Sequence, residues 1–239
     1  MDSTRLPGKT MAPVYKGMPL LECVVRRFQQ CRSLDDVVVA TTVEAGDDAI
    51  AEWCMKNGVS LFRGSEENVL ERVAGAARQY DANAIVQMGA DSAYLDYRLI
   101  DQLVGHYQGG QFDYVCNDLG LTYPLGIYGH VVSVEKLTEL SQREDLSDKD
   151  RSDVVRYIWE HPENYVIASI EAPPELYYPG LRLTVDYPED IEQARNVYAH
   201  FGGHLFTTVQ VIDLSHQHPG LFEKTRNLVQ QSAPFLTAK

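Results

Sequence analysis

The chain has 239 residues, of which 44% are hydrophobic and 10% aromatic, a composition typical of a globular protein built as one large α/β domain or two small ones. Its formal net charge is −13, from 34 acidic and 21 basic side chains, and the basic residues form no run. This charge argues against nucleic acid or an anionic membrane as the main partner, because phosphates would repel the protein.

The remaining compositional features predict a cytoplasmic protein without membrane insertion. No apolar stretch is long enough to cross a bilayer, and Met1 is followed by polar residues rather than by a signal peptide. The four cysteines form no CxxC pair, which favours buried free thiols over a zinc site or a disulfide framework. These cysteines are Cys23, Cys31, Cys54 and Cys116.

Along the chain, segments with helical apolar spacing alternate with short apolar runs that are typical of buried strands. Helices are predicted at residues 19–30, 48–57, 66–80, 97–107 and 188–201, with one or two more in 209–231. Strands are predicted at residues 36–41, 59–62, 84–88, 113–116, 165–170 and 181–185. This alternation predicts an α/β fold with a mostly parallel, doubly wound sheet and helices on both faces.

The middle of the chain is less regular. Residues 123–126 read as a turn, residues 127–134 alternate like an exposed or edge strand, and residues 139–153 are strongly charged. The sequence contains no repeat, low-complexity tract or linker. We therefore expect a single domain over residues 1–239, in which residues 123–155 form a lid or dimerisation arm.

The most distinctive stretch is STRLPGK at residues 3–9, directly before the first predicted helix. Pro7 fixes its own φ and Gly8 permits a backbone conformation closed to other residues, so Arg5 and Lys9 can be held in one tight loop. Two cations held so near to each other repel, and an anion bound between them relieves the repulsion. The segment is therefore a candidate phosphate-binding loop, and the alternative is a solvated basic tail.

Polar side chains also stand where predicted strands end. Thr41 ends the first strand, Arg63 and Ser65 follow the second, Asp91 follows the third, and Asp186 follows residues 181–185. In open α/β sheets, ligands bind beyond the carboxyl ends of the strands. Because Mg²⁺ takes one or two carboxylates together with phosphate oxygens, the pattern suits a nucleoside triphosphate with Mg²⁺.

Each of these residues also has a structural interpretation. Thr41 could simply end a strand, Arg63 could cap a carbonyl or pair with a nearby glutamate, and both aspartates could cap helices. Two other motifs are set aside. The Gly8-Lys9-Thr10 triplet lacks the first glycine and the preceding strand of a Walker A loop. The histidines at positions 216 and 218 have no carboxylate or cysteine beside them to complete a metal site.

Taken together, these segments resemble the CMP-sugar synthetase family, which contains the acylneuraminate and KDO cytidylyltransferases, and in particular its branch of proteins like the spore-coat polysaccharide biosynthesis protein F. The similarity covers nearly the whole chain. It is carried by STRLPGK, by VVVAT at residues 37–41, by RGSEENVLER at residues 63–72, by Asp91 and by RLTVDYPED at residues 182–190.

The resemblance implies a Rossmann-like nucleotidyltransferase fold and a reaction that uses CTP and Mg²⁺ in cell-surface glycan or related biosynthesis. An oxygen of an acidic sugar or a phosphonate attacks the α-phosphate, and pyrophosphate leaves. Such in-line transfer depends mainly on positioning and charge neutralisation. The resemblance assigns catalytic cations, nucleotide contacts and metal ligands, and it implies a homodimer. The catalytic cations are Lys9 and Arg5, the nucleotide contacts are Ser3, Gly8, Thr41, Arg63 and Ser65, and the metal ligands are Asp91 and Asp186.

The sequence departs from the family pattern in three places. The family has a hydrophobic strand and another arginine before this loop, so we expect the first strand of the fold and one triphosphate-binding arginine to be absent. Residues 90–94 read ADSAY where relatives have GDxPL, and residues 151–155 read RSDVV where the branch has REHVT, so the acceptor side has diverged. Two alternatives follow: a catalytically impaired nucleotide-binding relative or partner subunit, and, with less support, a GT-A glycosyltransferase, whose D-x-D pair has no good candidate here.

Overall fold

The computed structural model describes residues 6–228, so Ser3 and Arg5 lie outside the described residues. The α-helices in this range are α1 (Leu20–Phe28), α2 (Asp48–Asn57), α3 (Val69–Gln79), α4 (Tyr97–Gln108), α5 (Val134–Ser141), α6 (Asp148–Arg151), α7 (Arg156–Glu160), α8 (Pro188–Phe201) and α9 (Thr208–Gln217). The strands are β1 (Pro13–Tyr15), β2 (Met18–Pro19), β3 (Val38–Thr42), β4 (Ser60–Gly64), β5 (Ala84–Gln87), β6 (Tyr114–Cys116), β7 (His130–Ser133) and β8 (Ile167–Ser169). None of these helices combines the length and the apolar character that crossing a bilayer requires.

The strands form a four-stranded sheet of order β5-β7-β6-β8, a parallel pair β3–β4 and a small antiparallel hairpin β1–β2. In the four-stranded sheet β5, β6 and β8 run in one direction, and β7 runs against them between β5 and β6. The sheet is thus mostly parallel with one reversed strand. Within residues 6–228, no strand pairing joins β3–β4 to the four-stranded sheet.

Helices cover both faces of the four-stranded sheet. Tyr114 and Cys116 of β6 pack into a core with α3, α5 and α7, whereas Val115 between them packs into a larger core with α1, α4, α8 and α9. On β7, Val132 and Val131 divide between the two cores in the same way. Because successive side chains of a strand point to opposite faces, this division confirms the predicted doubly wound arrangement.

The prediction for the middle of the chain is wrong in one respect. Residues 127–134 do not form an edge strand, because β7 pairs with a strand on each side and His130, Val131 and Val132 are buried. The alternation that indicated an exposed face comes from polar His130, whose ring is satisfied by hydrogen bonds inside the protein. The lid or arm predicted at residues 123–155 is therefore not an excursion, since β7 and α5 belong to the core.

Two predicted strands also differ from the structure. Residues 181–185 make only one isolated bridge, between Arg182 and Leu125, although Leu181, Leu183 and Val185 are buried. Arg182 and Thr184 between them are buried as well, so the whole extended segment lies inside the protein without membership of a sheet. Residues 38–40 of β3 are half-buried instead of buried on both faces, because β3 pairs with β4 alone.

Candidate active site

Lys9 lies at the centre of the site, on a 3₁₀ turn formed by Lys9–Met11. Gly8 precedes it with φ of 73°, and a Cβ there would meet no atom within 4 Å. The backbone conformation, rather than lack of space, therefore requires glycine. The Lys9 Nζ donates hydrogen bonds to Asp91 Oδ2 at 2.8 Å, to the Val185 carbonyl at 2.8 Å and to Asp186 Oδ1 at 3.3 Å. Three segments from distant parts of the sequence thus meet at one point.

Asp186 is held in place by a buried ion network. The Nη2 group of Arg182 donates to Asp186 Oδ2 at 3.1 Å, and Arg182 also forms a two-point pair with Asp190 at 2.8 and 2.9 Å. Burial opposes the charge of Arg182, but the two carboxylates outweigh it and raise the pKa of Arg182. Arg182 therefore stays charged and fixes the orientation of the Asp186 carboxylate.

Neither Asp91 nor Asp186 caps a helix, so that structural interpretation is wrong for both. At the start of α4, the cap is Asp96, whose Oδ1 accepts the Arg98 N–H at 3.0 Å. At the start of α8, Asp190 Oδ2 accepts the N–H groups of residues 186 and 187 at 2.8 and 2.9 Å. The side chains of Asp91 and Asp186 point instead to Lys9.

The donor set at this point fits Mg²⁺ only if other ligands contribute. Among residues 6–228, no group of three or more His, Cys, Asp or Glu side chains is arranged to hold a metal ion. The carboxylates of Asp91 and Asp186 both contact the Lys9 ammonium group, so they offer oxygen ligands at the same position. Mg²⁺ is commonly bound by one or two carboxylates with the other positions taken by water and substrate phosphates. Asp91 and Asp186 therefore fit a cation that is shared with a phosphate group.

A cavity of about 670 Å³ opens beside this centre, and we call it the larger cavity. Asp91 and Asp186 form part of its wall, together with polar and aromatic side chains from β5, β7 and the segments around α7. The lining residues that matter below are Gln87, Asp91, Asp118, Tyr128, His130, Asp153, Trp159 and Asp186. Burial, with the nearby charge of Asp91, raises the pKa of Tyr128, so its phenol stays protonated.

A second cavity of about 290 Å³, the smaller cavity, has Thr41, Thr42, Asp47, Arg72 and Ala90 in its wall. The hydroxyls of Thr41 and Thr42 donate to Asp47 Oδ2 at 2.6 and 2.7 Å, and the Thr42 N–H donates to the same oxygen at 3.1 Å. Burial alone would raise the pKa of Asp47, but hydrogen bonds, these among them, lower it below its usual value. Asp47 therefore organises the polar wall of this cavity.

Arg63 and Ser65 line neither cavity. Arg63 donates to the Thr42 carbonyl at 2.8 Å and to the Glu44 carbonyl at 2.9 Å, and it pairs with Asp48 at 2.8 Å. Ser65 Oγ accepts the Asn68 N–H at 3.0 Å, ahead of α3. These contacts match the structural interpretation of Arg63, which closes the carboxyl end of the β3–β4 pair. A nucleotide contact by either residue stays a prediction.

Sequence reasoning missed three features of the site. Arg72 lines the smaller cavity and its buried Nε has no hydrogen-bond partner in the described part of the chain. Arg182 positions Asp186, and no local period indicates this, because residues 182 and 186 lie in the non-helical segment before α8. The third feature is the pair of Asp118 and His130 in the larger cavity, for which the sequence carries no local pattern, because the two side chains meet only through the pairing of β6 and β7.

Comparison with known proteins adds independent findings. A family model described as Cytidylyltransferase matches residues 1–235. The chain is 35% identical over 208 residues to the spore coat polysaccharide biosynthesis protein SpsF of Bacillus subtilis, a match that covers 84% of each protein. Its structure is similar to that of a cytidylyltransferase from Leptospira borgpetersenii, with a TM-score of 0.85 and 28% identity over 96% of this chain and 94% of the other.

A more distant likeness concerns the fold alone. The structure of CMP:2-keto-3-deoxy-manno-octonic acid synthetase in complex with CTP matches with a TM-score of 0.60 and 15% identity. The match covers 84% of this chain and 95% of the synthetase chain. The Rossmann-like arrangement of strands and helices is thus shared well beyond the range of clear sequence similarity.

Proposed function

Because the chain belongs to the cytidylyltransferase family, as the resemblance predicted, we propose that it transfers CMP from CTP to an oxygen of a sugar-type acceptor and releases pyrophosphate. The chain is a nucleotidyltransferase with a Rossmann-like fold. The biosynthesis of a cell-surface glycan or a related molecule is the proposed setting. The observation that carries the proposal is the convergence of Lys9, Asp91 and Asp186 beside the larger cavity.

The chemistry requires one bond to form and one to break at the α-phosphorus. The acceptor oxygen attacks, the bond to the β-phosphate oxygen breaks, and negative charge accumulates on the departing pyrophosphate. Among the described residues, Lys9 supplies the ammonium group that contacts both Asp91 and Asp186. This group can move from the two carboxylates to the phosphate oxygens. Mg²⁺, held by Asp91 and Asp186 together with phosphate oxygens, would add charge neutralisation and orientation. Arg182 keeps Asp186 in position for this role.

The two cavities offer separate places for the two substrates. Residues 89–91 divide them, because Ala90 lines the smaller cavity while Gly89 and Asp91 line the larger one. We place the nucleoside of CTP in the smaller cavity, near Thr41 and Arg72, and the acceptor in the larger cavity. Lys9 and the two aspartates then lie at the junction where the α-phosphate must be. The prediction of an acidic sugar or phosphonate as the acceptor rests on the family resemblance.

The test is a direct assay with a binding control. The protein is incubated with CTP, Mg²⁺ and a panel of neutral, amino and acidic sugars and phosphonates, and released pyrophosphate is measured. We expect release with at least one acceptor and CTP binding in calorimetry. Absence of both would contradict the proposal. Binding of CTP without turnover of any acceptor would support the alternative of a catalytically impaired relative.

We also propose a homodimer in the cytoplasm. The dimer rests on the family resemblance alone, because the segment predicted as a dimerisation arm lies in the core. All four cysteines are free and buried, which suits a reducing compartment. Burial raises the pKa of Cys23 and Cys31 to about 12 and that of Cys54 and Cys116 to about 11. A monomeric mass in light scattering would contradict the dimer.

A further inference from the structure

The Lys9 ammonium group is surrounded by oxygen atoms, as a bound cation would be. An ammonium group has three N–H donors, and those of Lys9 meet three oxygens. These are Asp91 Oδ2 at 2.8 Å, the Val185 carbonyl at 2.8 Å and Asp186 Oδ1 at 3.3 Å. Only 14% of the Lys9 side chain is exposed. The ammonium group therefore uses all three of its donors inside the protein.

The Asp186 carboxylate is fixed from its other side. Its Oδ2 accepts a hydrogen bond from Arg182 at 3.1 Å, while its Oδ1 contacts Lys9. Arg182 is itself held by two hydrogen bonds to Asp190, and only 5% of the Asp186 side chain is exposed. A cation that replaced the Lys9 ammonium group would therefore meet carboxylate oxygens that are already in position.

The oxygens that hold Lys9 are also the ones proposed above as ligands of Mg²⁺. Mg²⁺ binds oxygen atoms at about 2.0–2.1 Å, so an ion on the oxygen of Asp91 that Lys9 contacts would lie within about 5 Å of the ammonium nitrogen. Two positive charges that close repel each other, and the partial burial of Lys9 strengthens the repulsion because little water screens it. The ammonium group and a divalent cation therefore exclude each other at this position.

The phosphates of a nucleotide would resolve this competition. Phosphate oxygens form strong charge-assisted hydrogen bonds with an ammonium group, so they can accept Lys9 when it leaves the carboxylates. They also supply the oxygen ligands that Mg²⁺ takes in addition to one or two carboxylates. Without phosphates, an ion that displaced Lys9 would leave a partly buried ammonium group without its partners, which is unfavourable. The nucleotide thus frees the carboxylates and completes the ligand set in one event.

We propose that Lys9 is an internal counter-ion that occupies the metal position of the free enzyme, so that a divalent cation enters this position only together with the phosphates of a nucleotide. The inference rests on the proposed function and describes how the same site is regulated. It gives the free enzyme a centre that is closed to divalent cations. It also makes the binding of the nucleotide and the binding of the cation mutually dependent.

The first experiment measures the binding of Mn²⁺ alone, without nucleotide and without turnover. Electron paramagnetic resonance reports the free Mn²⁺ while the protein is titrated. We expect Lys9→Met to bind Mn²⁺ at least tenfold more tightly than the wild type, because the competing ammonium group is gone. Lys9→Gln is prepared in parallel, since its amide can still donate to the Val185 carbonyl if Lys9→Met fails to fold. Equal affinity in the wild type and in a folded variant would overturn the inference.

The second experiment tests whether the gain arises at this position. Loss of a positive charge elsewhere also favours cation binding slightly, and Lys136→Met measures that general effect. Lys136 is the matched control because it pairs with Glu139 and lines neither cavity. In the Lys9→Met background, Asp91→Asn should abolish the tenfold gain. A gain of the same size in Lys136→Met, or one that survives Asp91→Asn, would show that Mn²⁺ binds elsewhere and would refute the inference.

Calorimetry with CTP and Mg²⁺ on the wild type keeps this inference apart from the proposed function. The Mn²⁺ titration contains no nucleotide, so its result does not depend on CTP. If the wild type binds CTP but Lys9→Met gains no affinity for Mn²⁺, this inference alone is refuted. If Lys9→Met shows the tenfold gain but the wild type binds no CTP, the proposed function is refuted instead, while the exclusion of the cation by Lys9 stands.

Discussion

The two cavities beside the Lys9 centre differ in the group that each leaves without a hydrogen bond. In the smaller cavity this group is a donor, the Nε of Arg72, while Thr41 and Thr42 are satisfied by Asp47. In the larger cavity it is an acceptor, Asp118 Oδ1. Both atoms have almost no accessible surface, so neither meets a ligand directly. The contrast that a ligand meets is one of charge: in the described part of the chain four aspartates and no lysine or arginine line the larger cavity, whereas the wall of the smaller cavity includes Arg72.

The largest expected effect is at the junction of the two cavities. Asp186→Asn preserves the volume of the side chain but removes the charge that a metal ion requires. We expect turnover to fall by about 10²- to 10³-fold, since a metal ion supplies several kcal/mol of transition-state stabilisation. Pyrophosphate release at saturating CTP and Mg²⁺ measures this, with Asp148→Asn on the exposed helix α6 as the control. Near-normal turnover in a folded Asp186→Asn protein would show that the metal assignment is wrong.

Lys9→Met separates two roles of the lysine at the same junction. Removal of the ammonium should weaken CTP binding by about tenfold or more, because a charge-assisted contact to phosphate contributes roughly 1.5–3 kcal/mol. The same change removes the ammonium group that contacts both Asp91 and Asp186, so the affinity for Mn²⁺ without nucleotide should rise. Calorimetry with each ligand measures both quantities. Lys136→Met is the control, because Lys136 pairs with Glu139 and lines neither cavity. If Mn²⁺ binds no more tightly than in the wild type, Lys9 does not compete with the cation.

Arg72→Met tests whether the smaller cavity serves the nucleotide alone. We expect the KM for CTP to rise about tenfold, because the charge of one buried donor is lost, while the KM for the acceptor stays unchanged. Arg78→Met on the same helix is the matched control, since Arg78 is exposed and pairs with Glu71. A change in sugar binding with no change in the KM for CTP would reverse the assignment of the two cavities.

The smallest expected effect is on the pH dependence of stability. The pKa of His130 is raised in the folded protein, so the stabilisation from its protonated form is complete below the unfolded pKa of about 6.5 and is lost as the pH rises through the folded pKa. The free energy of unfolding of the wild type, minus that of His130→Gln, should therefore be larger at low pH than at high pH. Urea denaturation across this range provides the measurement. A difference that does not change with pH would contradict the charged pair.

Local sequence was sufficient for the elements whose ends are set by local chemistry. The ends of α2 and α8 agree with prediction to the residue, because Gly58 closes one helix in a left-handed conformation and Pro188 opens the other. The rule that ligands bind beyond the carboxyl ends of the strands also predicted that Asp91 and Asp186 lie together. It succeeded even though residues 181–185 form no strand, because an extended buried segment delivers its end to the same edge as a strand would.

Other features depended on which segments pack together, and no periodic pattern in the local sequence encodes that packing. The sequence by itself determined the alternation of helices and strands, the loop that presents Lys9 and the two aspartates that meet it. Only the tertiary structure decided that β7 is a central strand and that Arg182 holds Asp186. It also decided that Arg63 binds carbonyl groups after the end of β3 instead of lining a cavity. The contact between Asp118 and His130 also depends on the tertiary structure alone. Hydrogen bonds and ion pairs between segments far apart in sequence depend on strand order and packing, whereas caps and periodicity act within a few residues of their own positions.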